Sequence, residues 1–228
     1  MGAGAPGHGL GRAAESDLTA DVERELLDRG LREIGLEASE GQKIALLQLA
    51  ELLETWAERI NLTAHRTRDA IIHRLILDAA ALAQLLPESR KIADLGSGAG
   101  FPGLPLAILR RESRLTLVEA RERRHYFQRA AVRALALSNV HTLRGRAEVL
   151  QPIPHDLVVA QALAQPANAL EWMLPWAAPG AILALPGAAS PPEIAPPPGV
   201  KRKNTLRYSV PCGGPARTVW LGRRQSDR

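Results

Sequence analysis

A glycine-rich segment, Asp94–Gly103, constrains the fold of this chain more than any other part of the sequence. It reads D-L-G-S-G-A-G-F-P-G and lies between two apolar runs, Lys91–Ala93 and Leu104–Leu109. This order is typical of a strand, a tight turn and a helix. Glycine permits a positive φ and, having no Cβ, allows a ligand to approach the backbone closely. The segment therefore predicts a nucleotide-type binding loop in an α/β fold.

A second apolar run, Leu115–Val118, ends in an acid, Glu119. Nucleotide-binding folds place the carboxylate that binds ribose hydroxyls about 20 residues after the first glycine, and Glu119 stands in that position. The glycine spacing is G-x-G-x-G-x-x-G, not the G-x-G-x-x-G of nicotinamide-binding proteins, and Asp94 precedes the first glycine. Together these features resemble motif I of the S-adenosylmethionine-dependent methyltransferases.

The N-terminal part of the chain carries no strand signal. Residues 1–16 are rich in Gly and Ala and lack apolar periodicity, so we expect a disordered tail there. Residues 17–86 show helical periodicity and are expected to form a small helical module. Residues 87–228 would then form the methyltransferase domain.

Three helices are predicted in the module. Apolar residues at intervals of three and four begin at Leu18, and Gly35 ends this first pattern. Ser39 and Gln42 match a capping box for a second helix, and a third is predicted over residues 67–86. The second helix is predicted to bury Ile44, Leu47, Ala50, Leu53 and Ala57.

After Arg90 the sequence alternates between strand and helix patterns. Strands are predicted at Lys91–Leu95, Leu115–Glu119, Val140–Arg144, Leu157–Ala160 and Ala181–Leu185. Such alternation predicts a doubly wound, mostly parallel sheet that binds its ligand at the carboxyl ends of the strands. The proline-rich residues 186–200 are predicted to be a loop, and residues 203–210 and 216–222 to form an antiparallel hairpin. The whole pattern resembles the class I, Rossmann-like methyltransferase fold.

Composition excludes several other classes. The single cysteine, Cys212, cannot form a disulfide framework, and the six histidines are scattered, so no metal site is predicted. No apolar run approaches the roughly 18 residues that span a bilayer. The first residues also lack the apolar core of a signal peptide. We therefore expect a cytoplasmic protein that does not bind membranes.

The formal net charge is +5, and its distribution is more informative than its size. One basic cluster comprises Arg121, Arg123, Arg124, His125, Arg129 and Arg133, and a second comprises Lys201, Arg202, Lys203 and Arg207. These clusters are either solvated faces of helices and strands or a surface that binds nucleic acid. The sequence alone leaves both interpretations open.

Further motifs resemble one family. The stretch Asn61–Ala64 (N-L-T-A), Arg74 and Asp78, and the run G-F-P-G-L-P-L-A at residues 100–107 are similar to the RsmG, or glucose-inhibited division protein B, family. Residues 145–148 (G-R-A-E) also match. That family methylates a guanine at N7 in small-subunit ribosomal RNA. The resemblance implies this activity, S-adenosylmethionine as cofactor, and ribosomal RNA or a pre-assembled small subunit as partner; we expect a monomer.

The resemblance also implies roles for individual residues. Gly96 and Phe101 match cofactor-loop positions, and Glu119 matches the ribose-binding acid. Ala147 and Glu148 match a pair that borders the adenine. The predicted cofactor-binding residues are Asp94, Gly96, Gly98, Gly100, Phe101, Glu119, Ala147, Glu148 and Gln161. No catalytic residue is predicted, because guanine N7 carries a lone pair and no proton, so its methylation requires no general base.

The chain departs from the family at four positions near the expected cofactor and RNA face. Gln161 replaces an arginine, Pro186 a lysine, Leu75 a histidine and Ala79 a serine. Each change removes a charge or a polar group. The chain is therefore predicted to be a diverged member. Two alternatives are a methyltransferase with another nucleic-acid or small-molecule target and a non-catalytic RNA-binding protein that keeps the fold.

Overall fold

The computed structural model describes residues 9–190 and 194–226, and for residues 9–17 the backbone alone. Within these ranges seven strands form one sheet. They are β1 (Lys91–Leu95), β2 (Arg114–Glu119), β3 (Val140–Arg144), β4 (His155–Val159), β5 (Ala177–Ala188), β6 (Val200–Ser209) and β7 (Ala216–Arg224). The strand order is β3-β2-β1-β4-β5-β7-β6. Strands β1 to β5 are parallel, and β7 runs antiparallel to β5 and β6.

Helices cover both faces of this sheet. Three of these helices follow the glycine segment in the chain: α5 (Gly103–Leu109), α6 (Glu122–Ala134) and α7 (Pro166–Met173). A 3-10 turn at Leu174–Trp176 follows α7. Successive residues of β1 enter different apolar clusters: Ile92 packs with the N-terminal helices and Ala93 with the α7 side. Burial on both faces explains why the strands read as apolar runs. The predicted class I methyltransferase fold is confirmed.

The N-terminal helices are α1 (Gly9–Glu33), α2 (Glu40–Ala57), α3 (Arg68–Ile71) and α4 (Leu77–Leu85), with a π turn at Ile72–Ile76 joining the last two. The third predicted helix is thus continuous but not regular. Helix α1 begins at Gly9, inside the predicted disordered tail, so that prediction is wrong for residues 9–16. Residues 1–8 lie outside the described part of the chain. The helices share one apolar cluster with the sheet.

The face that α2 buries agrees only in part with the predicted one. Its buried residues are Ala45, Leu46, Leu49, Ala50, Leu53 and Ala57, whereas Ile44 is exposed. The prediction is confirmed for Ala50, Leu53 and Ala57 and wrong for Ile44, while Leu47 is half-buried. The sequence of α2 is apolar around most of its circumference, so periodicity alone did not locate the centre of the buried face. Contacts with the sheet-side helices decide which residues point inward.

The predicted loop at residues 186–200 is also partly wrong, because β5 continues to Ala188. Strand β4 ends opposite Ala184. Beyond that point β5 has a neighbouring strand on one side only, β7, where Pro186 pairs with Val219. A proline is tolerated in a strand at such an edge because one of its sides needs no hydrogen bond. Within the described ranges, no helix is long and apolar enough to cross a bilayer.

The predicted capping box at the start of α2 is present and links the module to the sheet domain. Ser39 Oγ accepts from Gln42 N, and Gln42 Oε1 accepts from Ser39 N. Gln42 Nε2 also donates to the carbonyl oxygens of Ile108 and Leu109, at 3.1 and 3.0 Å, which end α5. These carbonyls have no partner within their own helix.

We expect Ser39→Ala to lower the free energy of unfolding by about 1 kcal/mol, the usual effect of a lost helix cap. Gln42→Ala should cost more, about 2 kcal/mol, because three hydrogen bonds are lost. Urea denaturation measures both. Gln84→Ala, an exposed substitution on α4, serves as the control. Equal effects for Gln42→Ala and Gln84→Ala would contradict the assigned link.

Candidate functional site

The loop after β1 is held in a conformation that requires glycine. Gly96 and Gly98 have φ values of +69° and +58°, where residues with a Cβ are strained. Gly96 N donates to Val118 O at 2.8 Å, which ties the loop to the end of β2. A Cβ on Gly96 would lie 2.5 Å from Leu163 Cδ1. Leu163 therefore packs against the backbone of Gly96, in the space that a Cβ would occupy.

Glu119 lies beside the glycine loop at the end of β2. Its carboxylate is buried, and both oxygens accept backbone hydrogen bonds. Oε2 accepts from Gly98 N at 2.9 Å and Oε1 from Arg121 N at 2.7 Å. Each carboxylate oxygen has a further lone pair. Glu119 can therefore orient the loop and still accept hydrogen bonds from a pair of ligand hydroxyls.

Gln128 on α6 is a functional candidate that the sequence analysis missed. It is fully buried, and its Nε2 donates to Ser97 Oγ and to Gly98 O, each at 2.8 Å. One feature of the sequence could have identified Gln128. It lies three residues from both His125 and Ala131, so it is a polar residue on the buried face of a basic helix. These two hydrogen bonds attach the glycine loop to α6.

Asp94 lies beneath the loop and not on the wall of a cleft. Its Oδ2 accepts from Gly103 N at 2.9 Å, the first residue of α5. The pKa of Asp94 is raised to about 7, chiefly by burial and to a smaller extent by the negative charge of Glu119, while the Gly103 hydrogen bond opposes the shift. Oδ1 is buried and has no hydrogen-bond partner among the described residues. Asp94 therefore holds the start of α5 to the end of β1.

A cleft of about 300 Å³ opens where the loops after β1, β2, β3 and β4 meet, at the carboxyl edge of the sheet. Four of the nine predicted residues line it: Gly96, Glu119, Ala147 and Glu148. Residues not predicted for the cofactor line it as well, among them Arg121, Arg124, Arg146, Leu163 and Trp172. We call this space the cofactor cleft.

The remaining predicted residues lie elsewhere. Gly98 contacts the cleft through its bond to Glu119. Gly100 faces Leu104, since a Cβ there would lie 2.4 Å from Leu104 Cδ1, and the half-buried Phe101 packs against the main apolar cluster. A cofactor role for these residues, as for the others, stays a prediction.

Gln161 lines a second cavity of about 280 Å³, bounded by the ends of β4 and β5 and the start of β7. We call it the acceptor pocket. It shares Ala162 and Leu163 with the cofactor cleft, so the two spaces adjoin. Pro186 also lines it, together with other small and apolar residues.

Comparison with known proteins gives the family. The family model described as rRNA small subunit methyltransferase G (GidB) matches residues 42–210. The chain belongs to this family. It is 37% identical over 202 residues to ribosomal RNA small subunit methyltransferase G of Chromohalobacter salexigens, covering 88% of this chain and 96% of the relative. The Nitratidesulfovibrio vulgaris protein of that name is 36% identical over 205 residues, which cover 85% of this chain and 92% of the relative.

Solved structures support the fold of this GidB-family chain. A SAM-dependent methyltransferase from Aquifex aeolicus aligns with a TM-score of 0.51 at 20% identity, covering 67% of this chain and 92% of that one. A putative O-methyltransferase from Klebsiella pneumoniae aligns with a TM-score of 0.51 at 16% identity, covering 83% and 92%. The predicted family and methyltransferase class are confirmed.

The cofactor cleft of the GidB-family chain fits S-adenosylmethionine, the cofactor of these enzymes. Glu119 has free lone pairs that would suit the two ribose hydroxyls. The Ala147 carbonyl is occupied by Trp176 Nε1 at 3.0 Å, but no described residue accepts from the Ala147 N–H, which is free to bind an adenine nitrogen. Trp172 adds an aromatic surface, and Arg124 a cation for a carboxylate. Among the described residues, no group of three or more His, Cys, Asp or Glu could hold a metal ion.

Proposed function

We propose that this chain transfers a methyl group from S-adenosylmethionine to N7 of a guanine in small-subunit ribosomal RNA, in the cytoplasm and as a monomer. The observation that supports it most is the cofactor cleft, where Gly96, Glu119 and Ala147 meet at the carboxyl edge of the sheet. This edge is where open α/β sheets bind their ligands. Membership of the GidB family indicates ribosomal RNA as the acceptor.

The cofactor supplies an electrophilic methyl group when bound. Glu119 would bind its ribose, the Ala147 N–H its adenine and Arg124 its carboxylate. Gln128 keeps the glycine loop in place. Because the N7 lone pair needs no base, the protein contributes by orienting the two reactants and excluding water.

The surface next to the cleft suits an RNA. Arg123, Arg129 and Arg133 are exposed on one face of α6, with Tyr126, half of whose surface is exposed, between them. Basic side chains interleaved with an aromatic ring bind phosphates and stack on unpaired bases. His125 does not belong to this surface, because it is buried, and burial lowers its pKa. The predicted basic cluster is corrected accordingly.

We expect the triple variant Arg123→Gln, Arg129→Gln and Arg133→Gln to bind ribosomal RNA more weakly and with a flatter salt dependence. The slope of log affinity against log salt should fall by about one unit for each lost phosphate contact. Filter binding over a salt series measures this slope. Cofactor affinity should not change, since none of the three lines the cleft.

The matched control removes the same charge from the opposite edge of the sheet, with Arg90→Gln, Arg111→Gln and Arg114→Gln. These three residues are exposed near the amino ends of β1 and β2. Their loss should leave the slope nearly unchanged. Equal slopes for both triple variants would show that the α6 face is only a solvated surface.

The activity itself is tested with tritiated S-adenosylmethionine and small ribosomal subunits from cells that lack this chain. We expect label in the ribosomal RNA and N7-methylguanine in its nucleoside digest by mass spectrometry. Label in another base or at another guanine atom would contradict the proposed reaction.

The lost polar groups favour one alternative, a methyltransferase with a different acceptor. Gln161 and Pro186 both line the acceptor pocket, and the resemblance to the family implies an arginine and a lysine at these two positions. Small subunits that stay unlabelled, while total RNA or a small-molecule extract is labelled, would support this alternative. Cofactor binding with no transfer to any fraction would instead indicate a non-catalytic RNA-binding protein.

A further inference from the structure

The acceptor pocket has room for one ring system. Its volume of about 280 Å³ lies at the lower end of the range for small-molecule sites. Its walls are apolar, with Leu185, Ile194 and Trp220 among the larger side chains. Enzymes that modify a base inside a nucleic acid extrude it into such a pocket and hold it between apolar side chains.

Few side chains in this pocket can read the edge of a base. Of its lining residues, Gln161, Arg217, Thr218 and Trp220 carry side-chain hydrogen-bonding groups. The Trp220 Nε1–H is inaccessible to solvent and has no hydrogen-bond partner among the described residues, so a ligand in the pocket does not reach it. Thr218 Oγ1 already donates to Ala188 O at 2.7 Å. The donors left for a ligand are therefore the Gln161 amide and the Arg217 guanidinium.

Arg217 is held by a buried acid from a distant part of the chain. Its Nε lies 3.2 Å from Asp78 Oδ2, and Asp78 Oδ1 accepts from Tyr208 Oη at 2.8 Å. The three residues belong to β7, α4 and β6. No described residue accepts a hydrogen bond from the two terminal nitrogens of Arg217. The ion pair with Asp78 thus places the guanidinium, although its Nε forms no hydrogen bond with a described residue, and its terminal donors are unused.

We propose that Arg217 selects guanine as the acceptor base by donating to its O6, with Asp78 and Tyr208 as positioning residues. This rests on the proposed function, in which the acceptor is a nucleobase. Guanine presents O6, an acceptor, next to N7, whereas adenine presents an amino group there. Arginine can only donate, so it favours guanine and repels adenine. Gln161 offers either a donor or an acceptor and cannot make this distinction.

The test measures the binding of free nucleosides by NMR while S-adenosylhomocysteine saturates the cofactor cleft. Guanosine and inosine, which both carry O6, should bind the wild-type chain at least about tenfold more tightly than adenosine, the discrimination expected of one good side-chain pairing. In Arg217→Met the three affinities should agree within about twofold. Equal binding of guanosine and adenosine by the wild type would overturn the proposal.

Because Arg217→Met leaves the Asp78 carboxylate buried without its cation, the double variant Asp78→Asn, Arg217→Met is measured beside it. This pair removes both charges and keeps the hydrogen-bonding amide opposite Tyr208. It should also lose selectivity, and retained selectivity would overturn the proposal. Arg223→Met removes a cation of β7 at the other edge of the sheet and should keep wild-type selectivity.

A transfer assay on small ribosomal subunits separates this proposal from the proposed function. If the wild type prefers guanosine through Arg217 but transfers no methyl to ribosomal RNA, the proposed reaction fails and the assignment of Arg217 stands. If the wild type makes N7-methylguanine and the double variant does so with unchanged kcat/KM, the assignment of Arg217 fails and the reaction stands.

Discussion

Replacing Glu119 with alanine should weaken the binding of S-adenosylhomocysteine, the stable product of the cofactor, by about a hundredfold or more. A hydrogen bond to a charged group contributes about 1.5–3 kcal/mol, and two ribose hydroxyls together give at least about 3 kcal/mol, or two orders of magnitude. The variant also leaves the N–H groups of Gly98 and Arg121 without their acceptor. Isothermal titration calorimetry measures the affinity.

Two further variants sharpen this test. Glu119→Gln keeps one acceptor oxygen and should fall between the wild type and Glu119→Ala. Glu122→Ala removes an exposed carboxylate that pairs with exposed Arg144 and does not line the cleft; it should leave the affinity within about twofold of the wild type. If folded Glu119→Ala binds within about threefold of the wild type, Glu119 does not hold the ribose.

The stability of this chain should decrease as pH rises from about 4 to 7 because of Asp94. The pKa of its buried carboxyl is raised to about 7, so in this window the folded state binds a proton that the unfolded state has released. Stability from this proton is complete below the ordinary pKa of an aspartate and is lost as pH passes 7. Over the whole window the loss is about 4 kcal/mol.

Asp94→Asn should flatten this dependence, because the amide resembles the protonated acid and carries no titrating proton. Urea unfolding at a series of pH values, compared between the wild type and Asp94→Asn, isolates the contribution. Asp156→Asn serves as the control, since Asp156 is exposed on the neighbouring β4 and accepts from Lys91 N at 2.9 Å. Parallel pH curves for wild type and Asp94→Asn would show that Asp94 stays ionised when the chain is folded.

Much of the sheet domain was predictable because its signals are local. The bounds of β1 and β3 agree with the sequence prediction, since both strands are apolar or alternating runs with turn residues at their ends. Gly96 and Glu119 meet in the cofactor cleft for the same reason. Neighbouring parallel strands end at the same edge of the sheet. The residues that follow them are therefore close together, whatever sequence lies between the strands.

Elements without strong local signals were predicted less well. The buried face of α2 and the length of β5 both depend on what packs or pairs beside them. A helix that is apolar nearly all round has no single inward phase of its own. A strand that contains a proline is stable only where its neighbour leaves one side unpaired.

The sequence by itself determined the fold class, the glycine loop and the acid at the end of β2, because a turn, a strand and their spacing are set by adjacent residues. Only the tertiary structure placed Gln128 beneath the loop and joined Asp78, Tyr208 and Arg217 at the acceptor pocket. Such contacts leave no periodic trace in a sequence. They arise because the packing of α4 against β6 and the pairing of β6 with β7 bring distant residues together.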